Sequence, residues 1–312
     1  MGCCVVALLL AMATPAGGTQ QADLNSSRPE KFDPASYSGF DRNGFPGDAA
    51  LPALRRSFRF TGYWLNPPPG ETANTWMGKR TILRKYGFGF LVLFGGRTDA
   101  ELKAAGSNGL SAGALGTADG KAAVAAAGRE GFPPNVLIFL DQEEGGRLLP
   151  EQSAYLFAWV DAVRVAGARA GVYCSGISVP EGNGTISTAQ DIVERESARE
   201  SAKRSSPGKS RKGQRETPES RLALWIANDQ CPPAPGCTLA APPLASVFSP
   251  PVLAFATVWQ YAQSPRRAQF SASCPANQAA DGNCYAPGLP ANARIFVDLD
   301  TASSPNPSEA PR

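Results

Sequence analysis

The sequence predicts an α/β protein, a single (β/α)8 barrel of the TIM type. Three observations support this: eight short apolar segments, helix-like segments between several of them, and a length of 312 residues. The apolar fraction of 43% is enough for a sizeable core. The eight predicted strands are 38–41, 58–64, 88–94, 136–143, 170–174, 222–227, 256–261 and 294–300. Strands that alternate with helices form parallel sheets, and eight of them close into a barrel.

Three helices are predicted between these strands, at residues 74–85, 118–129 and 151–166. The third is amphipathic and is opened by Pro150, a residue that is favoured at the first helical position. The connection from Cys231 to Ala254 has no convincing helical pattern, so we expect the barrel to be somewhat irregular on that side.

The ends of the chain and one internal segment differ in composition from the predicted barrel at 37–302. Residues 1–18 contain a short apolar run, Val5 to Met12, followed by small residues, which is typical of a cleaved signal peptide although no Lys or Arg precedes it. Residues 19–36 are expected to be a polar linker and residues 303–312 a disordered tail. Residues 188–221 form a charged insertion that begins as a helix over Thr188 to Arg199. We therefore expect a secreted, periplasmic or cell-envelope protein.

Seven cysteines become five if the leader is removed. Cys231 with Cys237 and Cys274 with Cys284 bracket short loops, a spacing that suits disulfides in an oxidising compartment. Cys174 is left over, and we interpret it as a small buried core residue because no activating base accompanies it.

The chain contains no histidine, which narrows the chemistry that it can perform. A Ser-His-Asp triad, a Cys-His pair and a histidine-bound metal are excluded, so proton transfer falls mainly to carboxylates. Acids follow three of the predicted strands: Asp41 the first, Asp141 and Glu143 the fourth, and Asp298 and Asp300 the eighth. Strand ends converge at the active-site face of such a barrel, and a cluster of carboxylates around a hollow is the arrangement of glycoside hydrolysis.

Aromatic residues occur near the same strand ends and indicate a saccharide site, because sugar rings pack their C–H faces on aromatic side chains. The predicted substrate-binding residues are Tyr63, Trp225, Trp259 and Tyr261, together with Asp300. The formal charge of +3 is small, so no nucleic-acid partner is predicted.

Five segments at these positions resemble the glycoside-hydrolase-like barrels classed as a domain of unknown function, which are related to the family 25 glycoside hydrolases, the bacterial and phage lysozymes. The segments are Gly39-Phe40-Asp41, Asp141-Gln142-Glu143, Gly171-Val172-Tyr173, Trp259-Gln260-Tyr261 and Val297-Asp298-Leu299-Asp300, in the same order over residues 38–302. The resemblance implies a barrel that acts on or binds peptidoglycan or a related N-acetylated polysaccharide. It also implies that Glu143 is the proton donor and that Asp141, Asp41 and Asp298 are supporting carboxylates.

Three functions remain open at this point. The first is an exported, muramidase-like glycosidase, and the second is a saccharide-binding or envelope barrel that has lost turnover. The third is a metal-dependent hydrolase that uses Asp41, Asp141 and Asp298 as oxygen ligands. For the first two we expect a polysaccharide partner, no cofactor, no stable membrane span and a monomer.

Overall fold

A computed structural model describes residues 37–205, 221–228, 256–263 and 295–309. The predicted leader and linker, the second half of the charged insertion and both predicted disulfide pairs lie outside these residues. No helix in the described segments is both long enough and apolar enough to cross a membrane.

Eight strands form a closed barrel, which confirms the predicted fold class. In sequence order the barrel strands are β1 (Tyr37–Asp41), β2 (Phe60–Trp64), β3 (Gly89–Gly95), β4 (Leu137–Gln142), β5 (Arg169–Ser175), β8 (Ala223–Ala227), β9 (Ala256–Ala262) and β10 (Asp298–Ala302). Around the barrel their order is β1, β10, β9, β8, β5, β4, β3 and β2. The two remaining strands, β6 (Val179–Glu181) and β7 (Gly184–Ile186), pair as a small separate hairpin.

The last strand departs from the prediction in its direction. β10 is antiparallel to both β1 and β9, whereas the other neighbours in the barrel are parallel. It begins at Asp298, so the acids predicted to end this strand lie at its start. Reversal of the strand brings its first residues to the rim where the other strands end.

In the described residues six α-helices lie between the strands: α1 (Leu51–Ser57), α2 (Arg80–Lys85), α3 (Asp99–Ser107), α4 (Ala112–Arg129), α5 (Pro150–Val165) and α6 (Thr188–Ser205). Pro150 opens α5 as predicted, while α2 is shorter than predicted because residues before Arg80 form turns. The sequence analysis missed α1 and α3. α3 nevertheless begins with a capping box in which the Thr98 side chain accepts from Glu101 N and the Glu101 side chain accepts from Thr98 N.

Two glycines allow α4 and α5 to pack closely together. A Cβ added at Gly116 would lie 2.1 Å from the carbonyl oxygen of Tyr155, and one added at Gly120 would lie 2.8 Å from that of Trp159. Both contacts are with backbone, which cannot rotate away as a side chain can. The two glycines therefore set the distance between these helices.

Residues 303–309 are ordered and pack on the floor of the barrel, so the prediction of a disordered tail is wrong for this segment. Ser308 lies between β3 and β4: its N–H donates to Phe90 O at 2.9 Å, and its carbonyl accepts from Leu137 N at 2.7 Å. Its hydroxyl Oγ also accepts from Val92 N at 2.9 Å. These bonds satisfy backbone groups below the point at which β3 and β4 begin to pair.

Candidate functional site

The strand ends at one rim bring acids from three parts of the chain together. Asp41 ends β1 and lies directly opposite Asp298 in the antiparallel register of β1 and β10. Asp141 is near the end of β4, and Glu143 follows that strand. Gly62 makes room for Asp41, because a Cβ at this glycine would lie 2.8 Å from Asp41 Cβ.

These four carboxylates line one cavity of about 290 Å³ at the mouth of the barrel. The complete lining is Asp41, Asn43, Trp64, Pro69, Leu93, Asp141, Glu143, Tyr173, Trp225, Gln263 and Asp298. A wider cleft of about 650 Å³ adjoins it and shares Pro69, Asp141 and Glu143 with it. We call the smaller space the acid cavity and the larger one the side cleft.

The burial of the acids differs strongly within the acid cavity. Asp41 and Asp141 are buried, Asp298 is half-buried and Glu143 is exposed. Burial raises the pKa of Asp141 well above its usual range, and the nearby charges of Glu143 and Asp41 raise it further. Burial and the neighbouring charges therefore favour the protonated form of Asp141.

A chain of hydrogen bonds ties Asp41 to the opposite side of the barrel. The Tyr173 hydroxyl donates to Gln260 Oε1 at 2.8 Å, and Gln260 Nε2 donates to Asp41 Oδ2 at 2.8 Å. Burial raises the pKa of Tyr173 well above its usual range, and the charges of Asp41, Asp141, Asp298 and Glu143 act in the same direction. The Tyr173 hydroxyl is thus a neutral donor among the acids.

The loop that carries Glu143 is anchored immediately after it. Glu144 accepts a hydrogen bond from Asp99 N at 2.9 Å and another from Gln152 Nε2. Further along, the fully buried Asp191 of α6 accepts from Leu148 N at 2.9 Å. The first part of the charged insertion therefore supports the loop at the rim.

Trp225 is the one predicted aromatic residue in the wall of the acid cavity, and its side chain is fully buried there. Its ring packs edge-on against Tyr173 at a centroid distance of 4.9 Å, and its Nε1 donates to Asp300 Oδ1 at 2.9 Å. Asp300 is fully buried and is not part of the cavity lining, so the structure does not place it in contact with a ligand there.

The structure does not place Tyr63, Trp259 or Tyr261 in the acid cavity. Tyr63 packs against Trp76 and Phe132, and its hydroxyl donates to Glu130 Oε2 at 2.5 Å, just beyond α4. Side chains alternate along a strand, so the inward residue of this pair is Trp64, which lines the cavity.

The same alternation explains why the two predicted aromatic residues of β9 do not line the acid cavity. Gln260 points toward Asp41, and its neighbours Trp259 and Tyr261 therefore point to the other face of the sheet. Trp259 Nε1 donates to the carbonyl of Asn228, and both aromatic side chains are buried. Sequence reasoning chose the aromatic residues and missed Tyr173, Gln260 and Trp64, which the alternation of side chains could have identified.

Cys174 is buried and unpaired, as the sequence analysis expected. Burial raises the pKa of its thiol to about 12, which leaves it protonated at neutral pH. Within the part of the chain that the structure describes, no group of three or more His, Cys, Asp or Glu side chains is arranged to hold a metal ion.

Comparison with known proteins identifies a related family. Residues 75–221 match the family described as Rv2525c-like, glycoside hydrolase-like domain, which confirms the predicted resemblance to glycoside-hydrolase-like barrels. No curated protein matches the sequence.

Several solved structures resemble the fold at low identity. An uncharacterized B. stearothermophilus protein has a TM-score of 0.49 and 18% identity, covering 85% of this chain and 94% of its own. The Mycobacterium tuberculosis Tat-secreted protein Rv2525c in complex with HEPES has a TM-score of 0.47 and 10% identity, with the same two coverages. A family 25 glycosyl hydrolase from Bacillus anthracis has a TM-score of 0.41 and 11% identity, covering 92% of this chain and 95% of its own.

Proposed function

We propose, from the match of residues 75–221 to the Rv2525c-like, glycoside hydrolase-like family, that this chain is an exported protein that cleaves peptidoglycan or a related N-acetylated polysaccharide. The single observation that carries the proposal is the acid cavity, in which Asp41, Asp141, Glu143 and Asp298 meet with Tyr173 and Trp225. Acids and an aromatic face in one hollow are what a glycosidase needs for proton transfer and for holding a sugar ring.

In this mechanism Glu143 donates a proton to the glycosidic oxygen. It borders both the acid cavity and the side cleft, so a polysaccharide that runs through both spaces would have a linkage beside it. Asp41 and Asp298 face the sugar from the other wall, where carboxylates stabilise positive charge on the ring, orient water or hold the N-acetyl group of the substrate. Asp141 is buried with a raised pKa, and its protonated form supplies a hydrogen-bond donor next to Glu143.

One observation favours a second candidate, a barrel that binds saccharide without cleaving it. A general acid is usually kept protonated by burial or by a neighbouring charge, and Glu143 is exposed. The two functions share the cavity and the ligand but differ in turnover.

Reducing-end release from purified cell wall and from chitooligosaccharide distinguishes the two functions. A glycosidase releases reducing ends, and Glu143→Gln lowers this release by about 100-fold or more while the affinity for the oligosaccharide persists. Glu151→Gln, an exposed carboxyl on α5, is the control and is expected to keep full release. Saturable binding without release by the wild type would establish the second function, and neither binding nor release would contradict both.

Export is part of the proposal and rests on the composition of residues 1–18. Expression of the full-length chain with a C-terminal tag, followed by fractionation of the host, tests it. We expect a shortened product in the medium or envelope fraction, whereas a full-length product confined to the cytosol would contradict export.

A further inference from the structure

Asp300 is a buried acid that has only part of its hydrogen-bonding capacity filled. Its side chain is fully inaccessible to solvent, and its Oδ1 accepts a hydrogen bond from Trp225 Nε1 at 2.9 Å. Its other oxygen, Oδ2, is buried without any hydrogen-bond donor in the described part of the chain. A buried carboxylate oxygen without a donor is costly, but a protonated one can itself donate.

Asp41 provides an acceptor for that proton. Its Oδ2 accepts from Gln260 Nε2, an amide group that can only donate. The orientation of this amide is set from its other side, because Gln260 Oε1 accepts from the Tyr173 hydroxyl at 2.8 Å and from Gln263 Nε2 at 3.2 Å. Asp41 thus has a donor held in a fixed orientation, and a hydrogen bond to the charged form stabilises an ionised carboxylate.

The charged groups around Asp300 disfavour a second negative charge. Asp300 pairs with Gly39, two residues before Asp41 on β1, so the two acids lie on the same face of the sheet, and the charges of Asp41 and Asp298 both act on Asp300. From β9 the Tyr261 hydroxyl interacts with it electrostatically. Burial is the largest cause that raises the pKa of Asp300 well above its usual range, followed by the charges of Asp41 and Asp298, and the Trp225 hydrogen bond opposes them.

We propose that Asp300 is a positioning residue that holds the proton shared between two acids and donates it in a hydrogen bond to Asp41, which keeps Asp41 as the ionised member facing the acid cavity. The geometry that carries this is the full burial of Asp300, its oxygen without a donor, its register position on the same face as Asp41, and the Gln260 amide that donates to Asp41. The same residue also orients the Trp225 indole at the cavity wall.

The consequence for catalysis rests on the proposed function, whereas the protonation of Asp300 does not. In a glycosidase an ionised Asp41 can stabilise positive charge on the sugar ring. Because Asp300 holds the proton of the pair, the negative charge of the pair lies on Asp41. Asp300 therefore acts through Asp41 and Trp225 without touching the sugar.

Infrared difference spectroscopy of the full-length protein at neutral pH tests the protonation directly, with no substrate required. The wild type is expected to show C=O absorption from protonated carboxylic acids, part of which disappears in Asp300→Asn. Asp41→Asn is expected to retain the Asp300 signal, because burial remains the main cause of protonation. Unchanged absorption in Asp300→Asn, or loss of the same band in Asp41→Asn alone, would overturn the proposal by placing the proton elsewhere.

Kinetics adds a second test if the wild type releases reducing ends. Asp300→Ala removes the bond to Trp225 and the proposed bond to Asp41 and is expected to lower turnover by on the order of 100-fold, since Asp41 keeps the Gln260 donor but loses the one from Asp300. Asp300→Asn keeps a donor toward Asp41 and an acceptor for Trp225, so it is expected to rescue turnover to within about tenfold of the wild type. A loss as large in the Asn variant as in the Ala variant would mean that the ionised form of Asp300 is required.

Discussion

Replacement of Asp141 by Asn is expected to make the protein more stable at neutral pH than the wild type. The side chain is buried, its Oδ1 has no hydrogen-bond partner in the described residues, and burial together with two neighbouring acids raises its pKa. Asn has nearly the same shape and never has to lose a proton. The substitution therefore removes the free-energy cost of keeping this carboxyl protonated at neutral pH, or of ionising it while it is buried.

The magnitude follows from proton linkage. The folded protein holds a proton on Asp141 that the unfolded chain releases above about pH 3.9, so the free energy of unfolding of the wild type falls as pH rises from there. The slope is about 1.4 kcal/mol per pH unit until the raised pKa of the folded state is passed. The Asp141→Asn variant has no such slope, so its advantage is absent below about pH 4 and grows with each pH unit above it.

Urea denaturation followed by tryptophan fluorescence at a series of pH values measures this difference. Asp48→Asn is the matched control, because that side chain is exposed and its replacement is expected to change stability by less than about 0.5 kcal/mol at any pH. If the free energies of unfolding of Asp141→Asn and the wild type differ by the same amount at every pH, the pKa of Asp141 is not raised in the folded protein and the prediction is refuted. A positive result would indicate an acid kept against stability, which is a mark of functional sites.

Three further predictions concern packing and the assignment of aromatic residues. Gly116→Ala is expected to destabilise the fold by about 1–3 kcal/mol, because its methyl group meets the backbone of α5. Gly128→Ala, in open space near the end of the same helix, is expected to stabilise the fold by up to about 1 kcal/mol. Equal effects of the two substitutions in urea denaturation would refute the close packing. Trp225→Ala is expected to weaken chitooligosaccharide binding by up to about tenfold in calorimetry. Tyr63→Phe is expected to leave this affinity unchanged and to lower the free energy of unfolding by about 1 kcal/mol. Weaker binding by Tyr63→Phe together with unchanged binding by Trp225→Ala would place Tyr63 in the site. Ser308→Ala is expected to cost about 1–3 kcal/mol, since Val92 N loses its buried acceptor, and an unchanged denaturation midpoint would mean that the C-terminal segment contributes nothing there.

The sequence was informative wherever a local pattern has one structural solution. Buried strands are read from apolar runs bounded by turns, and all eight barrel strands were predicted from such runs. The positions of Asp41, Asp141 and Asp298 at one rim followed from the same runs, because the ends of barrel strands meet there. Pro150 marked the start of α5 for a similarly local reason.

The failures concern features that depend on contacts between distant residues. The sequence around Asp298 does not indicate the direction of β10, because that direction is set by pairing with β1 and β9. Ser308 lies in a Pro- and Ser-rich segment of a composition typical of disorder, yet it forms hydrogen bonds with backbone groups of β3 and β4. Tyr63 was assigned to the site by residue type, whereas the alternation of side chains places Trp64 there.

The position of β10 beside β1 also determines when this barrel can be completed. β1 is the first and β10 the last of the barrel strands to be synthesised, yet the two are neighbours, so the ring cannot close until β10 has left the ribosome. Asp41 therefore lacks its partner Asp298 until β10 has been synthesised. The floor of the barrel likewise lacks the hydrogen bonds of Ser308 until that residue follows. Until then the nascent chain holds an open sheet, with the edges of β1 and β9 unpaired.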